Sequence, residues 1–176
     1  MPNLKEAVIK EPIILEDESF SPDESVPVDE PTIVEAVKDY FETCPYLGAL
    51  ASVNVDFLDK TEGSYSIEET PANPVVREFV DGSRECQFLF TFASRQFYST
   101  TENKENIDNL HLYEKICRWL DDNNYNGVLP NLGDSREPLE IVATTGGYFF
   151  GVADGERCAR YQIQCRLLYK ERRHNG

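Results

Sequence analysis

Ile33, Val37, Tyr40, Phe41 and Cys44 recur at helical spacing, which predicts a helix over Pro31 to Cys44. Pro31 suits the first helical position, Asp29 and Glu30 suit a helix N-terminus, and Pro45 ends the run. The period then changes. Ala51, Val53, Val55 and Phe57 alternate with Ser52, Asn54 and Asp56, as a half-buried strand requires. Tyr65 and Ile67 mark a weaker strand after a turn at Gly63.

The clearest hairpin runs from Val75 to Val80, turns at Asp81-Gly82, a dipeptide favoured in type I′ turns, and returns along a long strand. On the return strand Phe88, Phe90 and Phe92 share one face and Leu89, Thr91 and Ala93 the other, so both faces are expected to be covered. A second helix is predicted over Ile107 to Asn123, with Leu112, Ile116 and Leu120 one turn apart and Tyr113 and Trp119 flanking them. Gly127 and Pro130 open a loop that runs to Pro138. Ile141 to Phe150 and Arg160 to Tyr169 read as a closing strand pair around Asp154-Gly155. The order predicts an α+β domain over residues 31–170. A short basic tail follows over 171–176.

Residues 1–30 follow neither period. Pro2, Pro12, Pro22 and Pro27 interrupt small apolar clusters, and nine acids oppose Lys5 and Lys10. Such a segment is either a solvated tail or an extended arm that docks on a neighbouring surface. In the second case Ile13, Ile14 and Phe20 are its anchors.

Charge and cysteine usage narrow the function classes. The formal net charge of -15 works against gripping nucleic acid, since neutralising phosphates takes Lys and Arg. The five cysteines are odd in number, scattered, and form no CxxC pair, which fits a reduced cytoplasm. No stretch approaches the roughly 18 apolar residues of a membrane helix. HExxH, GxSxG and GxxxxGK[ST] patterns are absent. Of the two histidines, His111 falls on the second predicted helix and His174 in the tail, and neither has a second ligand at helical spacing. Gly146-Gly147 runs into a strand rather than a helix, so a bulge or close backbone approach is expected there instead of a phosphate loop. The adjacent acids Glu68-Glu69 read as solvated charge. No cofactor or metal is called for, and a role in assembly rather than catalysis is expected.

Several segments in fixed order carry a resemblance. They are Asn73 to Ser83 (NPVVREFVDGS), Gln87 to Tyr98 (QFLFTFASRQFY), Glu105 to Asn109, Trp119-Leu120, Thr144 to Tyr148, and Ala159 to Tyr169. In this order they resemble the tail terminator proteins of long-tailed bacteriophages and prophages, also called minor capsid or tail completion proteins. The resemblance implies a mixed or antiparallel sheet flanked by two helices. It also implies a homo-oligomeric ring, of six copies, at the head-proximal end of the tail tube in the virion. Such a ring ends tube polymerisation, meets the tube protein and the head connector, and lets DNA pass through its lumen. An acidic lumen would keep phosphates from sticking. The N-terminal arm is a departure from the family pattern.

Ring closure requires two unlike surfaces of one subunit to meet head to tail. The candidates are the sheet-edge strands and the hairpin tips at Asp81-Gly82 and Asp154-Gly155, with Arg77, Arg84, Arg136 and Arg157 nearby as partners for ion pairs. Rival readings are another neck or connector protein, an enzyme with a dispersed site, and an acidic mimic of DNA.

Overall fold

Thr32 starts the first helix. Its side-chain oxygen accepts from the Glu35 backbone N–H at 3.3 Å, and the Glu35 carboxylate accepts from the Thr32 N–H at 2.8 Å. This reciprocal capping box places the first helix, α1, at Ile33–Glu42. Pro31 therefore lies before the cap rather than in the first turn. The computed structural model describes residues 29–49, 51–152 and 157–172. The arm anchors Ile13, Ile14 and Phe20, the turn at Asp154-Gly155, His174 and most of the basic tail lie outside the described residues.

The described residues form a seven-stranded mixed sheet and two helices, an α+β architecture. In chain order the remaining elements are β1 (Val53–Val55), β2 (Ser64–Glu69), β3 (Val75–Glu78), β4 (Arg84–Phe97), α2 (Asn103–Asn126), β5 (Arg136–Ala143), β6 (Tyr148–Val152) and β7 (Cys158–Glu171). The strand order is β1-β2-β4-β7-β5, with β3 also beside β4 and β6 also beside β7. Strands β4 and β7 pair antiparallel along their whole length, from Arg84↔Glu171 to Phe97↔Cys158. Among the described residues only β1 and β2 pair in parallel.

The alternation in the two long strands decides where the helices go. Cys86, Phe88, Phe90 and Phe92 of β4 and Tyr161, Ile163, Cys165, Leu167 and Tyr169 of β7 are buried on one face. Both helices pack there: Phe41 of α1 stacks on Phe92 with ring centroids 4.6 Å apart, and Tyr113 of α2 meets Phe92 edge-on at 6.4 Å. Each fully buried aromatic contributes about 1.5–3 kcal/mol of hydrophobic stabilisation. The Tyr113 hydroxyl, taken out of water, bonds Ser94 Oγ and donates to the Tyr161 carbonyl, each at 2.7 Å. Gly147 lies against this side chain: a Cβ there would sit 2.2 Å from Tyr113 Cβ, so the close-approach reading of Gly146-Gly147 holds at Gly147.

Several sequence expectations change. Both helices cover one face, so the Leu89–Thr91–Ala93 face of β4 carries no helix, and Leu89 and Thr91 are only half-buried. The strand expected over 51–57 shrinks to Val53–Val55, because Asp56 turns into the left-handed region at φ 54° and leaves Phe57 exposed. The strand expected from Ile141 to Phe150 divides into β5 and β6 around Thr144–Gly147, and the loop expected to reach Pro138 ends at Arg136. Finally, only Gly82, at φ 79°, is left-handed in the hairpin turn. The loop is bridged by Gly82 N–H donating to the Phe79 carbonyl and Phe79 N–H to the Ser83 carbonyl, each at 2.9 Å. That pattern is a type I turn with a glycine bulge rather than type I′. The second helix starts earlier than expected, at Asn103, and ends where Gly127 takes φ 70°.

Candidate assembly surfaces

The uncovered face of the sheet carries a closed polar network. Ser66, Ala93, Gln162 and Tyr148 lie in one cross-strand row over β2, β4, β7 and β6. Ala93 is small, so side chains from β2 and β7 can meet above the central strand. Arg160 reaches across it and grips Glu68 with two bonds of 3.0 and 2.8 Å. Its Nε donates to Gln162 Oε1 at 2.7 Å, Ser66 Oγ donates to Glu68 at 2.9 Å, and Gln162 Nε2 donates to the Tyr148 hydroxyl at 2.5 Å. The Phe150 ring closes the other side of the guanidinium at 5.0 Å. Beneath this lid Ser66, Ala93 and Gln162 are buried without any helix over them. Glu68 is thus held in a network, in contrast to the solvated charge expected of the Glu68-Glu69 pair.

The hairpin residues Arg77, Asp81, Gly82 and Arg84 come together at one end of the sheet, and Arg136 joins them from the far side. Glu78, Arg84, Glu171 and Arg136 form one cross-strand row, and Arg77, Glu85, Lys170 and Glu137 form the next. Charge alternates along both rows, the favourable arrangement for directly opposed side chains. Arg84 pairs with Glu78 at 3.0 Å. Arg136 donates to the Pro31 carbonyl at 2.6 Å and meets Glu30 at 3.4 Å, which ties the entry to α1 onto the start of β5. Asp81 shapes the turn: its carboxylate accepts from the N–H and hydroxyl of Ser83 at 2.9 and 2.6 Å, and those bonds hold its carboxyl below the usual range. Arg77 lies 5.9 Å and Lys170 5.3 Å from the centre of the exposed Phe79 ring. Arg157, exposed at the start of β7, sits at the opposite end of the sheet from the hairpin.

The four edge strands differ in what covers them. At β5, the Asn124 side chain of α2 donates to the Ile141 carbonyl at 2.6 Å and accepts from the Ile141 N–H at 3.0 Å. At β1, the Glu42 carboxylate of α1 accepts from the Val53 N–H at 3.2 Å. Side chains from the C-terminal ends of the helices therefore occupy, at one residue on each strand, backbone groups that a further strand would need. Among the described residues no strand lies outside β3 or β6. These two free edges occupy diagonally opposite corners, β3 on the β4 side at one end and β6 on the β7 side at the other. Both corners expose apolar side chains: Val76, Phe79 and Val80 at the first, among the charged rows, and Phe97, Phe149, Phe150 and Val152 at the second.

Burial favours the protonated forms of the interior thiols and of the Tyr113 hydroxyl. Burial pushes the thiols of Cys44, Cys86 and Cys117 up and that of Cys165 well above its ordinary value, which disfavours the reactive thiolate. Burial likewise pushes up the Tyr113 hydroxyl. His111 is exposed on α2 beside Glu114 at 3.2 Å. Among the described residues no group of three or more His, Cys, Asp or Glu side chains is placed to hold a metal ion, and no helix is long and apolar enough to cross a membrane.

Sequence reasoning found the hairpin corner through its turn dipeptide and arginines. At the β6 corner it singled out the Asp154-Gly155 turn and Arg157 but not the exposed Phe149 and Phe150, and it missed the network, whose members are separated by nearly a hundred residues. The chain matches no protein-family model and no curated protein.

Proposed function

We propose that this chain is a structural subunit that assembles head to tail into a closed ring. In line with the resemblance in its sequence, we assign that ring to the head-proximal end of a phage tail tube, where it ends tube growth and offers a surface to the head connector. One observation carries the reading: the two free sheet edges are unlike, each exposes large apolar side chains, and they are diagonally opposed. A head-to-tail contact needs two different patches on one subunit, so that each copy offers one and accepts the other. The β3 corner of one copy against the β6 corner of the next meets that need, while on β1 and β5 helix side chains already occupy backbone groups at Val53 and Ile141. We place the helix layer at the lumen, because each helix carries more acids than bases, and an acidic wall lets DNA pass without adhesion.

The test is to polymerise the cognate tail tube protein with and without this chain. The reading predicts tubes that stop growing and carry a ring at one end only, seen by negative-stain electron microscopy. Unchanged tube lengths with no density at either end would contradict it.

A further inference from the structure

Strand β6 is five residues long, and among the described residues it has one neighbour, β7. Its register also slips. Phe149 is matched with Tyr161 and Gly151 with Arg160, so Phe150 has no partner in β7 and is the bulged residue. A bulge interrupts the ladder, and a short edge strand has little ladder to lose. Side chains hold β6 instead. On the helix-bearing face the Phe149 ring packs on Tyr98 with centroids 5.4 Å apart and meets Tyr161 edge-on at 5.7 Å. On the other face Gln162 Nε2 donates to the Tyr148 hydroxyl at 2.5 Å, and the Arg160 guanidinium lies 5.0 Å from the centre of the Phe150 ring.

The Phe150 side of this contact is presented to solvent, and the Arg160 side is not. Phe150 is 62% exposed, against 22% for the Arg160 side chain. The guanidinium is itself fixed, since two bonds to Glu68 and one from Nε to Gln162 set its plane. Glu68 belongs to β2, three strands from β6 in the order β2-β4-β7-β6. At the usual strand spacing that is on the order of 14 Å. A carboxylate too far from the β6 corner to touch a docked copy therefore fixes the cation that backs the exposed ring.

We infer that Arg160 is a positioning residue for assembly: anchored by Glu68, it holds Phe150 at the β6 corner in the orientation that the β3 corner of the next copy receives. This rests on the ring reading and names the residues outside the contact that set its strength. A side chain ordered before docking adds no ordering cost to the association step. One side chain fixed in this way is worth about fivefold in affinity.

The experiment uses full chains in two forms, Val80→Asp, which keeps the β6 corner, and Phe150→Asp, which keeps the β3 corner. Their pairing is titrated by isothermal calorimetry at a temperature where circular dichroism shows every variant folded. In the Val80→Asp chain, Arg160→Gln and, separately, Glu68→Gln should each raise the Kd of the pair about fivefold. Arg166→Gln removes a cation from the same strand and face, with its ion pair to Glu140 at 3.1 Å, and should leave Kd within about twofold. Para-fluorophenylalanine at position 150 reports on the unpaired Val80→Asp chain. Its fluorine resonance should move towards that of the free amino acid in Arg160→Gln and Glu68→Gln, and hold its place in Arg166→Gln. An unmoved resonance, an unchanged Kd, or an equal loss of affinity in Arg166→Gln would each overturn the positioning role and leave the ring reading standing. Val80→Asp and Phe150→Asp chains that do not pair at all would overturn the ring reading and this inference with it.

Discussion

Asn124 lies against Ile141 as a strand would. Its single side-chain amide satisfies both backbone groups that Ile141 turns away from β7, donating at 2.6 Å and accepting at 3.0 Å. Asn124→Ala leaves that N–H and carbonyl exposed on an open edge. The expected cost is about 1–3 kcal/mol, read as a lower urea midpoint at unchanged slope. Light scattering should also show concentration-dependent aggregation, since the edge becomes available for pairing.

The network over Ala93 makes a second prediction. Arg160→Ala strips Glu68 of its bidentate partner and Gln162 of its donor, and should destabilise the chain by about 1–3 kcal/mol. Arg160→Lys should recover only part of this, because an ammonium cannot reproduce the planar fork. In a double-mutant cycle with Glu68→Gln, urea unfolding should give a coupling energy of at least about 0.5 kcal/mol. Strict additivity would mean that the network is an incidental surface arrangement.

Gly147→Ala places a methyl group 2.2 Å from Tyr113 Cβ, whereas Gly146→Ala meets nothing within 4 Å. The first should lose about 1–3 kcal/mol through forced displacement of the buried tyrosine, and the second should stay near the parent. Thermal unfolding of the two variants side by side checks this.

The Glu30 carboxyl is held below its ordinary value of 4.5 first by the side-chain hydrogen bond from Ser135 and then by the Ser135 backbone N–H. Its folded pKa is depressed. The stability it adds is therefore present above about pH 4.5 and disappears as pH falls through the lower folded value. Glu30→Gln should melt below the parent at pH 7 and match it near pH 2. A melting difference that persists at pH 2 would show that the effect is not one of charge.

Periodicity exposed the helices and the long strands because each buries one face, and their spacing records it. Tyr161, Ile163, Cys165, Leu167 and Tyr169 are buried in strict alternation. Val53, Val55 and Phe57 misled for a local reason: Asp56 takes a left-handed conformation and ends the strand after Val55. The division between β5 and β6 falls at Thr144–Gly147, where Gly146-Gly147 reads as a bulge within one strand because strand-forming residues flank it on both sides. At the candidate surfaces, Arg77 and Arg84 were legible as hairpin charges. What they do depends on pairing between distant strands, as in the row from Glu78 through Arg84 and Glu171 to Arg136. The edge plugs were illegible, since nothing in the sequence near Asn124 or Glu42 announces the strand each one covers.

The central claim is a head-to-tail contact between the β3 corner and the β6 corner, and mass photometry of two single variants tests it most directly. Val80→Asp disables the first corner and Phe150→Asp the second, both at exposed positions. The parent chain should form one closed species of about six copies, and each variant alone should remain monomeric. Mixed together, the two variants should form pairs and nothing larger, because only one intact contact remains between them. A parent chain that forms only symmetric dimers, or variants that still close into rings, would contradict the account.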